Sequence, residues 1–88
     1  MNIEFRKSFE KDLGSIRNTI LLQRIRAVIE EVDTAENLSE VANIKKLKGD
    51  GDYYRIRVGD YRIGITVNED TVIFVRVLHR KDVYRYFP

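Results

Sequence analysis

The chain has no cysteine and no tryptophan, and only one proline, one histidine and one methionine. Without cysteine there is no disulfide to staple the fold and no thiolate to bind metal or attack a substrate, so a reducing cytoplasm is the expected compartment. The longest apolar run is the four residues Val72–Val75, and Glu4, Arg6 and Lys7 interrupt the start of the chain. Nothing near Met1 resembles a signal sequence, and no membrane insertion is expected. Gly49, Gly51, Gly59 and Gly64 form no phosphate-binding loop ahead of a helix, so Rossmann and P-loop readings fail and no cofactor is expected. A lone His79 and scattered carboxylates offer no metal-ligand spacing, and no serine has a nucleophile-elbow context.

What is present is a foldable mixture. Apolar residues make up 43% of the 88 positions against 34% charged, enough for one compact domain spanning 1–88 with a modest core. The net charge of +2 hides an asymmetry. Residues 1–44 hold six Lys/Arg against eight Asp/Glu, whereas residues 45–88 hold ten against six. The basic half is also the half that alternates with period two. In Tyr53–Val58, Tyr54, Ile56 and Val58 take one parity and Arg55 and Arg57 the other. In Tyr61–Val67, Tyr61, Ile63, Ile65 and Val67 take the buried parity, which sets Arg62 opposite. Several guanidinium groups on one sheet face make a cradle for a polyphosphate chain, because each is always charged and presents a planar fork of donors.

Periodicity orders the rest. Asn2–Arg6 reads as a first strand. Phe5, Phe9, Leu13 and Ile16 recur at helical spacing up to Gly14-Ser15, and a second helix begins at Asn18 or Thr19 with Leu21, Leu22, Ile25, Val28, Ile29 and Val32 on its apolar side. These form a helical hairpin. Asp33–Asn43 reads as a loop, with Leu38, Val41, Ile44 and Leu47 pinning it to the core. Three strands follow, Tyr53–Val58, Tyr61–Val67 and Thr71–His79, joined by Gly59-Asp60 and Asn68-Glu69-Asp70 as an antiparallel meander. In the last strand Ile73, Val75 and Val77 match the core parity, which sends Arg76 to the arginine face. Lys81–Phe87 forms a short C-terminal turn or helix. The fold class is α+β.

The residues left for chemistry are Lys46, Lys48, Arg55, Arg57, Arg62, Arg76, His79, Arg80, Lys81 and Tyr84, a set suited to phosphodiesters. RNA cleavage needs no metal if the 2′-OH loses its proton, the pentavalent charge is stabilised and the 5′-oxygen leaves protonated. Arginines supply the charge stabilisation. An imidazole, with an ordinary pKa of about 6.5, makes His79 the best-matched proton carrier in the chain, and Tyr84 can stack on a base.

The stretches Lys46-Leu47-Lys48-Gly49, Tyr54-Arg55-Ile56-Arg57-Val58-Gly59-Asp60-Tyr61-Arg62-Ile63 and His79-Arg80-Lys81-Asp82-Val83-Tyr84 resemble the RelE branch of the RelE/ParE toxin superfamily, essentially end to end. The resemblance implies that fold order and a metal-independent endoribonuclease that enters the ribosomal A site and cleaves translated mRNA. It implies a RelB-like antitoxin partner, with operator DNA met only through the toxin–antitoxin complex. By the same resemblance Arg62 matches the family's meander arginine, Arg80 the arginine after the last strand and Tyr84 the base-stacking tyrosine. Arg55 and Arg57 stand where the best-known member has lysines, and arginine is a poor general base, which moves proton transfer toward His79. Lys46, Lys48, Arg76 and Lys81 are expected to contact RNA or the ribosome, with solvent or antitoxin carboxylates an equal alternative for Lys46 and Lys48. Two other readings stay open: a ParE-like gyrase inhibitor without nuclease activity, and a degenerate toxin acting as an antitoxin-binding repressor subunit.

Overall fold

The computed structural model describes residues 1–88, and its elements follow the sequence periodicities. Strand β1 (Asn2–Phe5) leads into helix α1 (Lys7–Gly14), then helix α2 (Thr19–Thr34), a 3-10 turn at Leu38–Glu40, strands β2 (Ile44–Lys46), β3 (Tyr53–Val58), β4 (Tyr61–Asn68) and β5 (Thr71–His79), and helix α3 (Val83–Tyr86). The strands form one five-stranded sheet in the order β1-β5-β4-β3-β2. Strands β2 to β5 pair antiparallel, and β1 returns to lie parallel to β5, Asn2 opposite Thr71 and Phe5 opposite Phe74.

The expected α+β order is present. The difference is β2, a short edge strand that sets Lys45 opposite Arg55 and makes the meander part of a wider sheet. Helix α2 begins where the side-chain oxygen of Asn18 accepts the Leu21 amide at 3.0 Å, an N-cap that satisfies one of the free donors of the first turn. The helices pack chiefly on strands, α1 against β5 and α2 against β1 and β3. Between them and the sheet lies the core, in which Phe9, Ile25, Val32, Ile56, Ile63, Ile65, Val72 and Phe74 are fully buried. Phe74 packs edge-on to Phe9 and face-on to Phe5. Its truncation to alanine, at the centre of that stack, costs about 3–5 kcal/mol.

Beyond Phe5 the edge of β5 has no strand beside it, and α1 takes that place. Ser8 donates its hydroxyl to the Val75 carbonyl at 2.6 Å, and Asp12 accepts the Val77 amide at 3.1 Å.

The parity expected for β5 is corrected by a bulge. Gly64 faces Arg76 but Ile65 faces Phe74, so Val75 has no partner. The extra residue flips the alternation: Val72 and Phe74 enter the core before it and Val77 after it, while Ile73 and Val75 remain only partly buried. Leu47 likewise does not pin the loop to the core; it lines a groove on the opposite side of the sheet. On that side Val83 and Phe87 are buried apart from the main core cluster, and they seat α3 against the sheet.

Candidate nucleic-acid interface

Strand alternation aims Arg55 and Arg57 of β3 and Arg62 of β4 away from the helices. Arg57 and Arg62 stand directly opposite each other, and Arg55 faces Gly64. Like charges directly across a ladder are destabilising, so this sheet carries a cost that a bound anion would relieve. Half-buried Arg62 donates through Nη1 to the carbonyls of Gly59 and Tyr61, both at 2.9 Å. Its guanidinium is pushed below the ordinary arginine value, first by burial, then by Arg55 and Arg57, with Arg80 adding to the repulsion and Tyr84 opposing it. Four cations and the tyrosine therefore share one electrostatic neighbourhood.

Asn43, just before β2, organises two of them. Its carbonyl accepts Arg55 Nη1 at 3.2 Å and the Arg57 amide at 3.1 Å, and its Oδ1 meets Arg57 Nη2 at 3.5 Å. The backbone there is left-handed, φ +62°, a conformation asparagine tolerates better than most residues. The Nε of Arg55 is buried with no acceptor. An unsatisfied charged donor inside a cationic cluster is a feature expected of a ligand site.

Beside the cluster lies a groove of about 360 Å³ lined by Lys45, Lys46, Leu47, Lys48, Tyr84, Phe87 and Pro88. Tyr84 is 66% exposed and unstacked, free to receive a flat apolar partner. Lys46 also pairs with Asp52 at 3.6 Å, both ends exposed. Arg80 follows β5, anchored by its amide on the Asp60 carbonyl at 2.7 Å. Its guanidinium lies 3.9 Å from the Asp60 carboxylate in an exposed pair, which contributes little.

Three expected site residues stand elsewhere. Arg76 starts on the arginine face but is drawn to the β5 edge, where Asp12 grips it at two points, Nε to Oδ2 at 2.7 Å and Nη2 to Oδ1 at 3.1 Å. That pair holds its guanidinium above the ordinary value. His79 faces Tyr61 across the ladder, on the helix side, and packs edge-on to its ring at 5.4 Å. Its Nδ1 accepts the Lys81 amide at 3.2 Å. Leu78, not His79, is the partner of Arg62. Lys81 is exposed in the turn after β5. The residues that sequence reasoning missed are Asn43, Lys45 and Phe87. Lys45 becomes visible only once β2 is paired, and a single loop asparagine or terminal phenylalanine carries no pattern.

This architecture is a small α+β fold with a cationic sheet face. Solved structures share it: the YoeB–YefM complex from Staphylococcus aureus superimposes with a TM-score of 0.71 at 21% identity, covering 90% of this chain and 95% of that one. At that identity the likeness concerns the fold alone. Much closer in sequence is a crystal structure of the RelB–RelE antitoxin–toxin complex from Methanococcus jannaschii, with a TM-score of 0.82 and 52% identity over 97% of this chain and 99% of that one. Toxin RelE3 of Methanocaldococcus jannaschii is 53% identical over the whole of both chains, and the putative toxin RelE1 of the same organism is 32% identical over 92% of this chain and 90% of its own. The family profile of the ParE toxin of type II toxin-antitoxin systems, parDE, matches residues 3–84. The chain belongs to this RelE/ParE family of type II toxin-antitoxin toxins.

Proposed function

We propose that the chain is a ribosome-dependent endoribonuclease that cuts mRNA in the A site and is held inactive in the cytoplasm by a RelB-like antitoxin. The observation that supports this most directly is the convergence of Arg55, Arg57, Arg62 and Arg80 with Tyr84 on one open sheet face. In the proposed reaction Tyr84 stacks on a base next to the cut and fixes the backbone in line. The 2′-oxygen attacks the adjacent phosphorus, its proton passes to solvent, and the bond to the 5′-oxygen breaks. The arginines stabilise the added charge of the pentavalent phosphorane, and the departing 5′-oxygen takes a proton. The products are a 2′,3′-cyclic phosphate and a 5′-hydroxyl.

His79 takes no part in this scheme, since its ring lies on the helix side of the sheet. With arginine a poor base, the rate gain comes chiefly from charge stabilisation and alignment. Lys46 and Lys48, with Lys45 between Asn43 and the groove, hold flanking phosphates. Arg76 and Lys81 are left out of the RNA path. The acidic antitoxin is held by the same positive face.

A reconstituted translation reaction with primer extension tests the reading. Cuts within codons of translated mRNA are expected, and they vanish when the antitoxin is added first. Intact mRNA together with gyrase-dependent DNA breaks would replace the nuclease reading with a gyrase poison. Neither outcome, with operator binding alone, would leave a repressor subunit.

A further inference from the structure

The centre of β4 carries a glycine where a side chain would ordinarily pack, and a glycine in a strand interior weakens the strand. Its backbone gives no reason for the choice, since only Gly49, Gly51 and Gly59 among the glycines have positive φ. Space does. A Cβ built on Gly64 would stand 2.7 Å from the ring of Phe87. Phe87 is 2% exposed, its ring meets that of Tyr53 edge-on at 5.7 Å, and its amide closes α3 on the Val83 carbonyl at 2.8 Å. Gly64 stands in register between Arg55 and Arg76, so the ring is seated in the middle of the arginine face. There it floors the groove whose wall is Tyr84, three residues earlier.

The geometry points to Phe87 as a positioning residue that uses the missing side chain of Gly64 as its socket and so holds the exposed Tyr84 beside Arg62 in the orientation that receives a base. This rests on the nuclease reading. A four-residue helix has almost no stability of its own. The stance of Tyr84 therefore depends on its two buried anchors, Val83 and Phe87, and only Phe87 lies on the far side of Tyr84 from the end of β5.

A double-mutant cycle tests the socket, with Phe87→Ala, Gly64→Ala and the pair measured in single-turnover cleavage on programmed ribosomes. Amide exchange at Tyr86, whose N–H bonds the Asp82 carbonyl at 3.1 Å, is followed in the same variants. Each single change is expected to slow cleavage about tenfold or more at saturating ribosomes and to remove the protection of Tyr86. Gly64→Ala should add little once Phe87 is gone, and Phe87→Leu should recover part of the rate. Losses that multiply as independent effects would overturn the inference, as would a folded Phe87→Ala protein that cleaves at the wild-type rate with Tyr86 still protected. A wild-type chain that leaves mRNA intact fails the nuclease reading instead, and the exchange measurement then still reports whether Phe87 and Gly64 hold α3.

Discussion

Asp12 of α1 and Arg76 of β5 form a two-point ion pair, with the same carboxylate also accepting the Val77 amide. Side-chain exposure is 14% and 27%, so water screens the contact only in part. The carboxylate serves as a substitute strand partner at the one stretch of β5 that β1 does not reach. It also draws Arg76 away from Arg55, Arg57 and Arg62.

Replacing Asp12 with alanine leaves the Val77 amide and a partly buried guanidinium without acceptors. The expected loss is about 1.5–3 kcal/mol of stability, read as a lowered denaturant midpoint with unchanged slope. Arg76→Leu should also lower stability but leave cleavage within about threefold of wild type. A much larger loss of rate at an intact fold would return Arg76 to the site.

Arg62 carries the opposite electrostatic signature. Its guanidinium is held below the ordinary value by burial and by Arg55 and Arg57, so its charge opposes folding at every pH below that lowered value. The opposition is relieved as pH rises past that lowered value, so Arg62 contributes a gain in stability with rising pH there rather than a loss. Arg62→Gln should abolish cleavage without lowering the thermal midpoint. Added salt should raise the wild-type midpoint more than that of the variant, because it screens the cluster.

His79→Gln should cost about 1 kcal/mol of stability, from the lost Tyr61 contact and Lys81 hydrogen bond, and leave the cleavage rate nearly unchanged. A hundredfold slower variant of normal stability would show that the imidazole reaches the substrate.

Asn43 separates backbone from side chain. Asn43→Gly keeps the left-handed turn and the carbonyl that holds Arg55 and Arg57, whereas Asn43→Ala strains it by about 1–2 kcal/mol. Glycine should therefore preserve stability and most of the rate, while alanine should lower both. Equal effects of the two on thermal midpoint would show that the backbone conformation is not what matters.

The parts of this fold legible in the sequence are those in which one periodicity runs uninterrupted. Arg55, Arg57 and Arg62 were placed by alternation, and α2 by its apolar stripe and Asn18 cap. Where alternation breaks, legibility ends. The bulge at Val75 reversed the parity of Ile73, and the three residues of β2 are too few to show a period. Parity also says nothing of a long side chain's final direction, so Arg76 could be aimed at the right face and still be captured by Asp12, 64 residues away in sequence. For His79 the alternation that holds Val77 in the core continues to the helix side, in agreement with its register opposite Tyr61; its expected role in proton transfer came from the chemistry of imidazole, which carries no information about a face.

The central claim is that the arginine face promotes attack by the 2′-oxygen. It is tested most directly by end-group analysis of mRNA cut on the ribosome, beside an mRNA with a single 2′-deoxynucleotide 5′ to the cut. A 2′,3′-cyclic phosphate and a 5′-hydroxyl are expected with the first RNA, and no cut at that position with the second. Fragments ending in 3′-hydroxyl and 5′-phosphate, or unimpaired cleavage at the deoxynucleotide, would contradict it.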